Sequence, residues 1–475
     1  MSEAPSSEWR SLAPASVLVN LVPDLWRTAR AFWPVFLALV LGGAPIVGSN
    51  LGLVLVFFAA AAGRTLLHFL TLRYRLYDGR LEIRSGLLAR QFRSIDPARI
   101  QNVEIVQNLF HKAAGLVELR VDTAAGDGGA EGLLSAIEVS EAEALRAALY
   151  RTRPGAADPA QGTVLLEVTP MELVGYGLSA GRIGAAILTA GVVFEYGSAF
   201  APSFVQKAIE NASSLVMVGL ALVATAIAYA LSAASAVLRY QAFRLLAMPG
   251  GVRLESGFFT RRGVDIPYGK VQAVRIDEPL VRRWMGYASV HVETAAGAAP
   301  SDTPTGEGFI PMVAEDELEP AVRHVIPGVD LDPSRPDLSP PAPRALLGGA
   351  VSASLFWAFA AGAGAWWVGA PWLLLFVAVG PALAYADWRT QGWRVSGRTV
   401  VARRGFMRRS TWILPRSKVQ SVHLSATWFQ RVTGLAVVEV WVAGTRVELP
   451  DLRADDARRV FDTLAADAEA RVARG

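Results

Sequence analysis

The sequence predicts an α+β membrane protein in which six transmembrane helices form three hairpins, each followed by a small β-rich domain. Three observations lead to this fold class. The 475 residues are 52% hydrophobic and only 19% charged, below the roughly 25% charge of a typical soluble domain. Three apolar regions are each long enough for two membrane crossings. After each region the same short phrase recurs, as RIQNV (99–103), KVQAV (270–274) and KVQSV (418–422).

The membrane helices are predicted from the length of the apolar regions. A membrane-spanning helix needs about 20 apolar residues, and each region is interrupted near its middle by Gly, Pro or Asn, which favour turns. These breaks give six predicted spans, at 31–48, 50–70, 182–198, 214–238, 345–364 and 371–387. Small residues within the spans, as in SAASA (232–236) and AFAAGAGA (358–365), allow neighbouring helices to approach closely.

The basic residues predict the orientation, because Lys and Arg are enriched on the cytoplasmic side of a membrane. Lys207 is the one basic residue near the outer turns of the hairpins, whereas arginines such as Arg73, Arg239 and Arg389 flank the opposite ends. We therefore expect a multi-pass protein of the cytoplasmic (inner) membrane, with both termini and all three β-rich domains in the cytoplasm. The absence of cysteine excludes disulfides and cysteine metal sites.

The recurring phrase belongs to a larger repeated unit. When Gln101, Gln272 and Gln420 are aligned, a proline lies upstream in each copy and a glycine lies fourteen residues downstream. These residues are Pro97, Pro267 and Pro415, then Gly115, Gly286 and Gly434. Alternating strands surround the phrase, and each unit ends in an amphipathic helix with acidic residues at its start, where they suit the helix dipole. We predict a small β-barrel or sandwich closed by a C-terminal helix.

The repeat gives the domain organisation. The predicted segments are an N-terminal segment (1–30), hairpin 1 (31–70), β-rich domain 1 (71–152), a linker and interfacial segment (153–181), hairpin 2 (182–238), β-rich domain 2 (239–328), a Pro-rich linker (329–344), hairpin 3 (345–387) and β-rich domain 3 (388–475).

The repeated unit resembles the bacterial pleckstrin-homology-like domain of the membrane-associated type, a former domain of unknown function. The core of that domain reads P-x-x-(K/R)-(I/V)-Q-(S/N)-V, followed by G-L-A-x-(I/V). Here the matches are Pro97–Val103, Pro267–Val274 and Pro415–Val422, although the first copy is one residue shorter and Tyr287 replaces the usual leucine. The alternation with hairpins is similar to the three-domain, larger member of the paired membrane proteins of the YdbS/YdbT type. The resemblance implies pleckstrin-homology-like domains and a membrane location, but no activity.

The candidate contact residues lie in and beside the phrase. We expect Arg99, Lys270 and Lys418 either to bind lipid headgroups or an acidic partner, or only to flank a strand and satisfy topology and solubility. Basic residues near a membrane gain about 1 kcal/mol each from anionic lipid. Gln101, Gln272 and Gln420 contact a ligand or, as we favour, make a structural hydrogen bond. The three glycines are expected to permit turns with positive φ and have no assigned function.

The favoured function is a non-enzymatic scaffold or adaptor that binds a protein partner or lipid. The five histidines lack metal-site spacing, no phosphate-binding or nucleophile motif is present, and a net charge of +4 does not indicate nucleic acid. We expect no catalytic, cofactor or metal site. The resemblance suggests a smaller single-domain membrane relative as partner, in envelope stress or antimicrobial resistance. The alternative is a transporter or lipid-handling protein that uses the six-helix bundle, although its predicted midplane carries no charge.

Overall fold

The computed structural model of the protein describes most of the β-rich part of the chain and part of the helical part. The described residues are 8–13, 15–17, 19, 21, 59, 62–63, 66–67, 69–86, 90–97, 100–123, 132–151, 162–179, 214–257, 261–294, 309–329, 336–369, 371–443 and 445–472.

The first two repeats share one order of elements: three strands, a fourth strand, a short helix, two strands and a closing helix. The first contains β2 (Arg73–Tyr77), β3 (Arg80–Ser85), β4 (Gln91–Ile95), β5 (Ile100–Gln107), α1 (Leu109–Ala113), β6 (Leu116–Thr123), β7 (Gly132–Glu138) and α2 (Val139–Arg151). A further strand, β1 (Arg10–Ser11), precedes it and pairs with β2.

The second repeat follows this order, and in the third repeat one further strand precedes the closing helix. The second contains β9 (Arg244–Met248), β10 (Gly251–Ser256), β11 (Arg261–Pro267), β12 (Val271–Pro279), α5 (Leu280–Trp284), β13 (Tyr287–Thr294), β14 (Phe309–Ala314) and α6 (Glu315–Val325). The third contains β15 (Gly392–Val395), β16 (Thr399–Arg404), β17 (Arg408–Pro415), β18 (Ser421–Ser425), α9 (Trp428–Thr433), β19 (Leu435–Val442), β20 (Thr445–Glu448), β21 (Leu452–Arg453) and α10 (Ala454–Val472). The predicted α+β class is confirmed.

The remaining elements connect the repeats. They are β8 (Thr163–Glu167), α3 (Pro170–Ser179), α4 (Ser214–Tyr240), α7 (Ala345–Val368), a 3₁₀ segment (Pro371–Ala378) and α8 (Val379–Thr390). The segment 153–181, predicted as a linker and interfacial segment, thus contains both a strand and a helix.

The predicted membrane spans are described only in part. Spans 31–48 and 182–198 lie outside the described residues, as does most of 50–70, while span 214–238 falls within α4. Among the described helices, the stretch Ala345–Trp366 is long and apolar enough to cross a membrane, with 22 residues and a mean hydropathy of 1.6. The arrangement of six spans in three hairpins therefore stays a prediction.

The third hairpin shows the predicted break between its two helical segments. Gly369 ends α7 in the left-handed conformation, with φ of 68°, which glycine adopts without a steric penalty. The chain then resumes in a 3₁₀ segment rather than in the predicted α-helix. A Cβ atom on Gly380 of α8 would lie 2.9 Å from the backbone carbon of Ala353 in α7, so a small residue lets the two helices pack closely.

The chain divides into two compact units, and the boundary at Pro267 and Tyr268 falls inside the second repeat. The first unit is Met1–Val164 with Leu245–Pro267, and the second is Leu165–Arg244 with Tyr268–Gly475.

In the first unit, the core of the first repeat lies between the sheet β1–β2–β3–β4 and the strands β5, β6 and β7. Tyr74, Leu119 and Leu134 are fully buried there. The apolar face of α2 closes this core with Ala142, Leu145 and Leu149.

In the second unit, the core of the third repeat is built in the same way. Val400 and Leu414 of the first three strands pack with Val438 and Val440 of β19. The apolar face of α10 covers them with Ala457, Val460 and Leu464.

Consecutive repeats share sheets. In the first unit, β5 of the first repeat pairs antiparallel with β11 of the second, which joins the strand order β7–β6–β5 to β11–β10–β9. In the second unit, β12 of the second repeat pairs antiparallel with β17 of the third, which gives the order β14–β13–β12–β17–β16–β15. The fourth strand of each of the first two repeats is therefore an inner strand of a sheet.

Candidate functional site

In the second and third repeats, the repeated phrase forms a proline-terminated strand, one 3₁₀ turn and the next strand. Pro267 ends β11, Tyr268–Lys270 forms the turn, and β12 begins at Val271. Pro415 ends β17 in the same way before the turn Arg416–Lys418. Proline has no N–H to donate to a sheet ladder, so it is well suited to the end of a strand.

The glutamines of the repeated phrase have different environments. Gln272 is buried, and its Nε2 donates a hydrogen bond of 3.3 Å to the backbone oxygen of Lys270. Gln420 is exposed, and its backbone N–H donates to the oxygen of Trp441 at 2.8 Å. Gln101 lies in β5, but its side chain is outside the described part. At Gln272 the side chain thus makes the favoured structural bond.

The basic residues that we predicted to contact lipid or a partner do not converge on one site among the described residues. Arg99 lies outside the described residues. Lys270 is half-buried in its 3₁₀ turn. The Nζ of Lys418 donates a hydrogen bond of 2.7 Å to the backbone oxygen of Gly269, which joins the turn of the third phrase to that of the second. Lipid or partner contact by these cations stays a prediction.

The three repeated glycines have the predicted conformation. Gly115, Gly286 and Gly434 have φ of 68°, 76° and 71°, and each lies between the short helix and the following strand. A Cβ atom on Gly115 or Gly286 would meet no atom within 4 Å. The backbone angle, rather than a lack of space, therefore requires glycine at these two turns.

The short helix of each repeat presents large apolar side chains to its surroundings. Trp284 at the end of α5 is 88% exposed, and Trp428 at the start of α9 is 72% exposed. Phe110 of α1 and Val432 of α9 are also exposed. Basic residues accompany them, as at Lys112, Arg283 and Arg431. An apolar body with a basic rim is the composition of a membrane-interface element.

The third short helix is held against the start of a candidate membrane span. The ring of Phe429 in α9 lies 2.9 Å from the point where a Cβ on Gly348 of α7 would stand. Arg344, directly before α7, donates a hydrogen bond of 3.3 Å to the backbone oxygen of Thr433. Both contacts fix α9 at the first turn of α7.

The second short helix is joined to α3, which precedes the predicted span 182–198. Arg282 of α5 is buried, and its Nε donates to the Oγ of Ser179 at 3.1 Å. Its guanidinium lies 4.7 Å from the ring centroid of Tyr176 and also donates to the Oγ of Ser289. Burial lowers the pKa of Arg282. This side chain connects α3, α5 and β13.

A buried carboxylate lies where the second and third repeats meet. Asp277 of β12 accepts hydrogen bonds of 2.6 Å from both Arg408 and Ser410 of β17. The Nε2 of His291 lies 3.3 Å from the same carboxylate, and the Nε of Arg275 lies 3.4 Å away. Burial raises the pKa of Asp277, but these donors and cations outweigh burial and hold it well below its usual range.

The neighbouring pair adds to this junction. Arg409 of β17 donates to both oxygens of Glu278, with Nε at 2.8 Å from Oε2. Sequence reasoning missed Asp277, Arg282 and these partners, because none of them recurs in all three repeats. The one signal was the concentration of arginines in RRSTW (408–412), opposite the acidic end of β12.

A protein-family model matches the chain three times, once for each repeat. The family model of the bacterial PH domain matches residues 35–153, 198–326 and 346–468. The chain is similar to the UPF0699 transmembrane protein YdbT of Bacillus subtilis (strain 168), with 25% identity over 462 residues, or 90% of this chain and 91% of that relative. No solved structure matches the chain.

Proposed function

This chain belongs to the bacterial PH domain family, and from that premise we propose that it is a non-enzymatic membrane scaffold. Its three pleckstrin-homology-like repeats lie against the cytoplasmic face of the inner membrane and hold a lipid or a protein partner there. A relative named as a transmembrane protein and the apolar helix Ala345–Trp366 support the membrane location.

The observation that carries the proposal is the position of the exposed tryptophans. Trp428 lies on α9, which is fixed at the first turn of α7, and Trp284 lies on α5, which Arg282 joins to α3. Tryptophan favours the boundary between headgroups and acyl chains. Arg283 and Arg431 beside them attract anionic headgroups by about 1 kcal/mol each. The short helices thus seat the repeats on the bilayer.

The scaffold role follows from this placement. Shared sheets hold consecutive repeats together, and repeats fixed at the membrane offer a surface for a protein partner. A smaller single-domain membrane relative is the partner that the family resemblance suggests, and envelope stress or antimicrobial resistance is the setting.

The absence of cysteine permits a direct test of bilayer contact. A fluorophore on Trp428→Cys, in the full chain in proteoliposomes with anionic lipid, is expected to be quenched by a spin label on the acyl chains and protected from aqueous iodide. The reason is that α9 lies at the first turn of α7. The measurement is the steady-state fluorescence of the labelled protein in the presence of each quencher.

The matched control is Arg446→Cys on β20 of the same repeat, which is half-exposed in the structure. This position is expected to be quenched by iodide and not by the lipid-borne label. Equal iodide quenching at both positions, with no effect of the lipid-borne label at 428, contradicts the proposed seating of the repeats.

A further inference from the structure

The outer edge of β18 differs from the edges of its counterparts. β5 and β12, the fourth strands of the first two repeats, each have a strand on both sides. β18 is the fourth strand of the third repeat, and in the described part of the chain it pairs with β19 alone.

The two occupied edges use one register. At the first junction Ile105 pairs with Gly263, and at the second Ile276 pairs with Thr411. Ile105 and Ile276 each lie four residues after the glutamine of their repeat, and Gly263 and Thr411 each lie four residues before the proline of the next. The chain thus makes the same antiparallel pairing twice, with equivalent positions of the repeat opposed.

The edge of β18 lacks the features that normally protect an exposed strand. Such edges usually carry charged residues, proline or a bulge. The sequence of β18 is SVHLS, without a charged residue or proline, and His423, Leu424 and Ser425 are exposed. An unprotected edge with main-chain groups available is a template for adding a strand.

The strand that fits this edge is the third strand of a repeat, because β11 and β17 occupy the two equivalent positions. The chain carries a third strand of this type in its first repeat, β4, and in the described part of the chain this strand lies at the end of its sheet. One edge of β4 pairs with β3, and its Phe92 and Ser94 are exposed.

We propose that β18 of one copy of this chain pairs with β4 of a second copy, in the register of the two internal junctions. That register sets Val422 opposite Ile95, His423 opposite Ser94 and Ser425 opposite Phe92. The pairing is head to tail, so it extends into a row of copies or closes into a ring. The bilayer contacts of the short helices are not required for it.

The composition of β18 makes the proposed junction between copies weaker than the internal junction between β12 and β17. Asp277 and Glu278 bind Arg408 and Arg409 at the internal junction. The corresponding positions after Gln420 are Ser425 and Ala426. Main-chain pairing therefore remains without these ion pairs, and association is reversible and depends on the density of the protein in the membrane.

The test uses two single-cysteine chains with different tags, one with His423→Cys and the other with Ser94→Cys. The full chains are co-expressed, and isolated membranes are oxidised with copper phenanthroline. Directly opposed residues bring Cβ atoms to disulfide distance. A mixed dimer is expected at several times the yield of either control, with the 423–94 linkage identified by mass spectrometry.

Two controls define the register and the direction. His423→Cys with Gln91→Cys places the thiols three residues out of register and on opposite faces, so little mixed dimer is expected. His423→Cys alone reports symmetric pairing of β18 with itself. Equal mixed dimer in the matched and mismatched pairs, a predominant 423–423 dimer, or no dimer from chains that keep wild-type thermal stability and labelling overturns the proposal.

Discussion

Replacing Asp277 with alanine is expected to lower the free energy of unfolding by about 3 kcal/mol, because hydrogen bonds to a charged group contribute roughly 1.5–3 kcal/mol each. The carboxylate is buried and accepts hydrogen bonds from Arg408 and Ser410. Its loss also leaves His291 without this partner. The measurement is the urea midpoint of the full chain in detergent, followed by pulse proteolysis.

The control for this prediction is Asp337→Ala, since Asp337 is fully exposed and 3.9 Å from Arg394. A surface pair of this kind contributes little, so the midpoint should stay unchanged. Equal midpoints for Asp277→Ala and the wild type would show that the carboxylate does not hold the two repeats together.

The same carboxylate gives a pH dependence. The pKa of Asp277 is lower in the folded chain than in the unfolded chain, where it is about 3.9. Its contribution to stability is therefore fully present above about pH 4 and is lost as the pH falls through the lower, folded value. The difference in midpoint between wild type and Asp277→Ala should accordingly still be present at pH 5 and shrink in stronger acid.

Replacing Arg282 with alanine is expected to lower the free energy of unfolding by about 2 kcal/mol and to release α3 from the second repeat. The guanidinium donates to Ser179 and Ser289 and stacks on Tyr176, so its removal leaves both hydroxyl groups without this donor. Hydrogen–deuterium exchange should increase in α3 and α5 beyond the change in overall stability.

The conservative variant Arg282→Lys separates charge from geometry at this position. Lysine keeps the charge but lacks the fork of donors that bridges two hydroxyl groups, so intermediate exchange is expected. Arg431→Ala on the exposed face of α9 serves as control and should leave exchange in α3 unchanged. Unchanged exchange in α3 for Arg282→Ala would contradict the coupling of α3 to the repeat.

Local features of the repeat could be predicted from the sequence because three copies report the same requirement. Gly115, Gly286 and Gly434 recur at one offset, and all three adopt positive φ. The break in the third hairpin was predictable for a similar reason, since Gly369 and Pro371 are strong local signals. Such features depend on the backbone of a few neighbouring residues.

The sharing of sheets between repeats could not be predicted, because it depends on contacts far apart in the chain. Asp277 and Ser410 are separated by 133 positions. The polar end of β12 suggests a solvated strand, yet β17 covers it and Asp277 is buried. The environments of Gln272 and Gln420 differ, although the phrase around them is nearly identical. The neighbouring strand, and not the phrase itself, determines whether each glutamine is buried or exposed.

The central claim, that consecutive repeats are joined by a shared sheet, is tested most directly by a disulfide between β12 and β17. Glu278 and Arg409 are opposed in the register and their side chains are in contact. In the Glu278→Cys, Arg409→Cys chain we expect an intrachain disulfide after mild oxidation in membranes, seen as linked tryptic peptides. The control, Glu278→Cys with Arg404→Cys on β16, should give little of this product. Two free, readily labelled thiols in the matched pair, or equal yields in both pairs, would contradict the shared sheet.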